Sequence, residues 1–372
     1  MNEDKATRYQ RLKRQASVAS LVWGVALVGG VLWSGASLTL RDAAESTAAH
    51  AGPASGPILT AAIYTVLLCA LNEIGDLLIA FYSGFFLERR FGLSTERFSG
   101  WLRDQAKAFA ISLIFASAGV TIVYALIRVS PGGWWLPAGA TFALLIVGLA
   151  NIAPVLLLPL FYRLKPLDRE SLRARLLTLA DRAGARVLGA YEWGLGDKTR
   201  KANAALTGVG STRRILVSDT MLAEYSDEEI EVVLAHEIAH HVHGDIWKGI
   251  VFESALILAG FFLAARVLGA LAGAFHLRGV DDIAGLPLLL LAAGAVSMAM
   301  VPVAHAMSRA FERSADRFAL DLTRNPGAFI SAMRRLAAQN LAEEQPSRIV
   351  QWLFYSHPPI RERIAAAQAY RV

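Results

Sequence analysis

The chain has one cysteine, Cys69, in 372 residues. A disulfide within the chain is therefore impossible, and a cysteine-ligated zinc site is excluded. Charge is also scarce. Only 18% of residues are Asp, Glu, Lys or Arg, where a soluble domain carries about a quarter. The chain has no internal repeat, no low-complexity tail and no RNA-binding signature. Its basic excess, +6, borders apolar runs, so it reads as membrane topology rather than as a nucleic-acid surface. What the chain has is apolar sequence: 55% of residues, with a mean hydropathy of +0.41. Much of it belongs in lipid.

Six apolar stretches read as transmembrane helices, at about 17–40, 58–87, 106–127, 138–162, 248–275 and 283–307. The first follows a basic start and is too long for the apolar core of a secretory signal. Residues 41–57, with Gly52, Pro53, Gly56 and Pro57, read as a loop. The expected organisation is 1–162 for four spans, 163–247 for a polar region, 248–307 for two spans and 308–372 for a C-terminal region. Six spans put both termini and the polar region on one side. The loops on that side are rich in Arg and Lys, so it is expected to be cytoplasmic. Glu73 and Asp76 lie inside the second span. They read equally well as cavity-lining groups or as partners of another span.

The polar region begins with an amphipathic helix at 168–183. Two short strands follow, at 203–209 and 214–218, joined at Gly210-Ser211 as a small β-hairpin. Ser226 and Glu229 then form a capping-box pattern that opens a helix. That helix carries His236-Glu237-Ile238-Ala239-His240, an HExxH motif. Residues i and i+4 share a helical face, so two imidazoles can grip one metal ion with the glutamate beside it. This is the arrangement of a zinc peptidase: two histidine ligands and a general base that assists attack of zinc-bound water on a peptide bond. Zinc needs a third protein ligand, and the spacing HExxHxxGxxH fails because Ile246 holds the last position. Glu312, at the end of the sixth span, is the best candidate, with Asp316 one turn on to orient an imidazole. Asp245 can orient an imidazole or cap the next helix. His241 lies off the ligand face and His243 lies three residues from His240; both are read as exposed or supporting rather than as ligands.

HEIAH, Glu312 within SRAFERSAD, and SHPPIRER together resemble the type I CaaX prenyl endopeptidases. These are integral-membrane gluzincins, a family that also includes the heat-shock-type membrane proteases. The stretch Asn203–Gly208 before Arg213–Thr220 resembles that family's substrate-side edge strand and the strand after it. The resemblance implies a mostly α-helical polytopic protein whose spans enclose a chamber beside a zincin-like region. It implies one zinc ion on His236, His240 and Glu312, with Glu237 as base. Asn203, with Ala204 and Ala205, would hold the substrate backbone. His357 and Arg361, from an HPPxxxR-like end, would stabilise the oxyanion. Glu73, Asp76, Asn151 and Arg266 become candidate chamber-lining groups. The implied substrate is a peptide or protein that is membrane-associated or lipidated. A quality-control protease is the alternative within the same chemistry. A transporter with a Glu73/Asp76 relay is the alternative outside it. The chain departs from the eukaryotic CaaX enzymes in being shorter and in showing six spans rather than seven.

Overall fold

A helix satisfies its own backbone groups and can therefore stand in lipid, so the apolar stretches become the framework. The structure, a computed structural model, describes residues 4–50, 56–208 and 212–371. Helix α1 (Lys5–Trp33) opens at Asp4, whose carboxylate accepts from the Thr7 amide at 2.7 Å. It ends before Gly35, whose φ of 77° is a left-handed turn that glycine takes without strain. The chain then re-enters helix as α2 (Ala36–Ala49). The first span therefore stops at Trp33, short of residue 40, and most of the expected 41–57 loop is helical. Gly52 and Pro53 of that loop, and the Gly210-Ser211 turn, lie outside the described residues.

The remaining spans are α3 (Gly56–Arg90), α4 (Phe98–Val129), α5 (Trp135–Phe161), α9 (Asp245–Leu271) and α10 (Ile283–Thr323). Two of them loosen into π-helical turns, at Phe81–Phe86 and Ala153–Leu157. The second contains Pro154, which has no amide to give to the helix ladder. Between α5 and α9 lie β1 (Leu164–Pro166), α6 (Glu170–Arg182), β2 (Ala190–Trp193), β3 (Ala204–Thr207), β4 (Arg214–Ser218), α7 (Asp219–Glu224) and α8 (Asp227–Val242). After α10 come α11 (Pro326–Asn340), α12 (Arg348–Phe354) and α13 (Ile360–Gln368). The sheet runs β1-β2-β4-β3. Its β2/β4 pair is parallel and its other two pairs are antiparallel. The expected hairpin is its β3/β4 half. Strands β1 and β2 are three and four residues long, too short to show an alternation in sequence.

The six spans touch one another in a closed ring, α1–α3–α4–α5–α9–α10 and back to α1. Their apolar windows are at most 28% buried, as expected of a wall that makes narrow contacts rather than a solid bundle. The end away from α8 is closed by an apolar cluster that includes Leu32, Tyr64, Tyr124, Trp134, Leu268 and Leu289. A buried pair, Arg41 of α2 with Asp282 at 2.7 Å, completes that closure. At the other end, residues from 163–247 and 308–372 share one core around Leu172, Ile215, Leu234, Phe329 and Ala367. Two regions separated by two spans thus fold as one body across the mouth of the ring. Asp76 accepts from Ser20 at 2.6 Å and Asn72 at 2.8 Å, so it pairs α3 with α1. Asn151 bonds back to Val147 of its own helix.

Candidate metal centre

Helix α8 starts at a full capping box: the Ser226 hydroxyl accepts from the Glu229 amide, and the Glu229 carboxylate accepts from the Ser226 amide. The cap fixes the helix phase, which turns His236 and His240 inward. Gly244, with φ of 69°, then redirects the chain into α9 and places Asp245 at its first residue. Helix α10 runs unbroken from the span into the body at the mouth of the ring and carries Glu312 beneath α8.

One atom each from His236, His240 and Glu312 lies within 4.8 Å of the others. The Nε2 atoms of the two histidines are 3.3 Å apart. Glu312 reaches His236 Nε2 at 3.2 Å and His240 Nε2 at 3.4 Å. The other ring nitrogens are already engaged. His236 Nδ1 lies 2.9 Å from Asp316, and His240 Nδ1 lies 3.1 Å from Asp245. Each Nδ1–H thus donates to a carboxylate, which leaves two Nε2 lone pairs facing each other across a third anionic ligand. Glu312 Oε2 is buried without a properly aligned donor. Two facing lone pairs and an orphaned carboxylate oxygen are a set that a divalent cation satisfies, so the residues fit a metal ion. Burial opposes charge on His236, but the Asp316 and Glu312 carboxylates outweigh it and raise its pKa to about 9.

Glu237 points into a cleft of about 350 Å³ beside the histidines, and Ala202, Asn203, Ala204, Met333, His357 and Arg363 are among the residues that line it. Burial pushes the Glu237 carboxyl above the usual range. His357 leans over the same space, its Nε2 3.3 Å from Glu312. Burial pushes its pKa down.

The arginine expected at Arg361 is replaced in the structure by Arg363. Arg361 is exposed, whereas Arg363 is buried and lines the cleft. Two positions on a helix are about 200° apart, so only one of them can face the site. Counting HPPxxxR from His357 lands on Arg363, and the Ile360, Ile364, Ala367 stripe carries it on the inward face. Arg363 grips Asp316 with Nε at 2.8 Å and a second nitrogen at 2.5 Å, and it reaches His236 Nδ1 at 3.3 Å. Asp316 thus serves one imidazole and one guanidinium. Neither neighbouring arginine pairs with Glu312 or Asp316: Arg309 donates to the Gln351 and Tyr355 carbonyls, and Arg313 pairs with Glu362.

Strand β3 is an edge strand of the sheet, the one next to α8. Asn203 O accepts from Ser218 N, which sets the alternation of the β3/β4 ladder. Ala205 therefore turns its backbone groups toward Leu216, and Ala204 and Leu206 turn theirs outward. This corrects the expectation for Ala205, which keeps no backbone group free for a substrate. Ala204 has free groups, and the Asn203 side chain is exposed beside it. The Leu206 carbonyl is already taken, by His241 Nε2 at 2.8 Å. This role of His241 was not readable from its place next to His240. His243 meets Phe318 edge to face and lies beside Ser314, so it is engaged outside the His236–His240–Glu312 cluster. Because His241 ties the edge strand to the ligand helix, His241→Ala is expected to lower kcat/KM roughly fivefold, about 1 kcal/mol. Metal content should stay unchanged, and His241→Gln should recover most of the loss. Steady-state kinetics with paired metal analysis checks this.

Comparison with known proteins matches residues 166–371 to the family model Peptidase family M48. Residues 2–163 match "CAAX prenyl protease N-terminal, five membrane helices". Four helices in that segment are long and apolar enough to span, and the short, Ala-rich α2 is a fifth helix there. An uncharacterized metalloprotease, YhfN of Bacillus subtilis, is 34% identical over 289 residues, 77% of this chain and 68% of that protein. CAAX prenyl protease 1 of Saccharomyces cerevisiae is 28% identical over 323 residues, 81% of this chain and 70% of that protein. The crystal structure of S. mikatae Ste24p superposes with a TM-score of 0.87 at 21% identity, over 98% of this chain and 88% of that one.

Proposed function

This chain belongs to peptidase family M48 and is a multi-pass membrane metalloendopeptidase; from that premise we propose that it binds one zinc ion and cleaves membrane-presented peptides. His236, His240 and Glu312 would hold the zinc, and the observation that carries this is the convergence of their free donor atoms. When bound, zinc supplies a Lewis acid that polarises the scissile carbonyl and acidifies water.

The remaining chemistry belongs to the chain's own residues. Glu237 takes a proton from the attacking water and later delivers it to the leaving amine nitrogen. His357 stands beside Glu312 at the open side of the cleft and can donate to the oxygen on which charge develops. Arg363 holds Asp316, and Asp316 holds His236, so Arg363 acts as a positioning residue. The outward backbone groups of Ala204, with the Asn203 amide beside them, align the substrate by strand addition. His241 ends that edge at Leu206, so only a short stretch of substrate backbone is paired.

The substrate class follows from placement. The catalytic body covers the mouth of a ring of spans, so a lipidated or membrane-anchored chain can keep its apolar part buried while its peptide reaches Glu237. The similarity to CAAX prenyl protease 1 supports a CaaX-type substrate. The basic loops support a cytoplasmic catalytic side. The organisation is then two membrane segments, 1–162 and 248–307, which carry a body built from 163–247 and 308–372. Family membership selects the peptidase over a transporter with a Glu73/Asp76 relay.

Metal analysis of the purified protein is expected to find one zinc per chain. Chelation should abolish peptide cleavage, and added zinc should restore it; a zinc-free protein with full activity would overturn the reading. Cleavage of a prenylated peptide in preference to its unmodified twin supports the CaaX-type substrate. Equal cleavage of the two, together with turnover of misfolded membrane proteins, supports quality control.

A further inference from the structure

A second cleft, of about 680 Å³, lies where α4 begins and α5 ends, against the loop between β2 and β3. Five cationic side chains line it: Arg97, Arg103, Lys107, Arg163 and Lys198. Two of these are satisfied. Asp104 holds Lys107 at 3.3 Å and also holds Lys198, whose ammonium sits 4.5 Å from the Tyr162 ring centroid. Arg97, Arg103 and Arg163 are exposed and have no side-chain partner among the described residues. Glu96 and Asp197 also line the cleft, so its cationic excess is small. It therefore suits a singly charged anion better than a polyphosphate.

The surroundings are those of a membrane boundary. Phe98, Leu102 and Leu160 are 49%, 44% and 50% exposed, interleaved with the free arginines on the span ends. Apolar side chains beside unpaired arginines at one depth suit a molecule with a phosphate head and acyl tails. Guanidinium forks match the geometry of phosphate oxygens.

We propose that this cleft binds the headgroup of an anionic phospholipid, with its phosphodiester on Arg97, Arg103 and Arg163 and its acyl chains along Pro159, Leu160 and Phe161. The position gives the lipid a structural role. The walls of the cleft are also the joint between the spans and the catalytic body: the Thr95 hydroxyl donates to Gly196 O at 2.7 Å, and the Thr199 hydroxyl donates to Leu93 O at 3.0 Å. From Lys198 the chain runs directly to Asn203 and the edge strand. A bound headgroup would brace this joint from outside.

The test is native mass spectrometry of the full-length protein in detergent, titrated with phosphatidylglycerol or phosphatidylcholine. Wild type is expected to retain one phosphatidylglycerol in preference to phosphatidylcholine. The triple variant Arg97→Gln, Arg103→Gln, Arg163→Gln should weaken that binding by roughly tenfold or more. Replacing the same three residues by Lys should keep most of it, and metal content checks the fold of each variant. If the triple Gln variant does not fold, Arg103→Gln alone is measured, with about a threefold loss expected. Equal retention of both lipids by wild type, or unchanged phosphatidylglycerol binding in the Gln variant that folds, would overturn the proposal. Displacement of the lipid by excess glycerol 1-phosphate would also overturn it, because it would assign the cleft to a soluble phosphate.

Discussion

Replacing Glu237 by Gln is expected to leave zinc content and folding intact while peptide cleavage falls by about 10²–10⁴-fold. The amide has nearly the shape of the carboxylate but cannot take a proton. No hydrogen bond of Glu237 supports the fold among the described residues, so its loss leaves nothing buried without a partner. The effect should fall on kcat, because the group acts on the proton in transfer and contributes little to ground-state peptide binding. Parallel metal analysis and single-turnover cleavage check this. Substantial cleavage by the variant would remove Glu237 from its proposed role.

Glu312→Ala is expected to reduce bound metal well below one per chain and to abolish cleavage, because only two imidazoles then remain. Asp316→Ala should differ in a diagnostic way. It keeps all three ligands but releases His236 from its tautomer, with an expected loss of metal affinity of about 10–100-fold. It also strands the buried Arg363 guanidinium, which costs about 3–5 kcal/mol of stability. Excess zinc should therefore restore activity in the Asp316 variant, while thermal stability stays low. Zinc should not restore activity in the Glu312 variant. Rescue in both would remove Glu312 from the ligand set.

The six spans were legible because long apolar runs have one stable solution in lipid. The break at Gly35 was not. Residues 36–49 mix Arg41, Asp42 and Glu45 with alanines, and their helix is stabilised by contacts with α3 and by the Arg41–Asp282 pair. The short strands β1 and β2 were invisible for a similar reason: their partners, not their own patterns, make them strands. The hairpin of β3 and β4 could be read, but which of its residues face outward depends on ladder phase, so Ala205 was expected alongside Ala204, whereas the next outward groups are those of Leu206.

By itself the sequence determined which face of α8 carries His236 and His240. HExxH on a capped helix has local geometry, and a spacing of four residues places both imidazoles without help from the rest of the chain. It also determined that the protein lives in the membrane, since no soluble fold can hide six such runs. Only the tertiary structure decided what surrounds those histidines. Glu312, 76 residues beyond His236, and Asp316 come from a helix that is parted from α8 by a whole span. Arg363 comes from the C-terminal helix, and His241 acts on a strand that precedes it in the chain. These contacts exist because two polar segments, parted by two spans, pack into one core across the mouth of the ring. Long-range packing of that kind leaves no periodicity for a sequence to display.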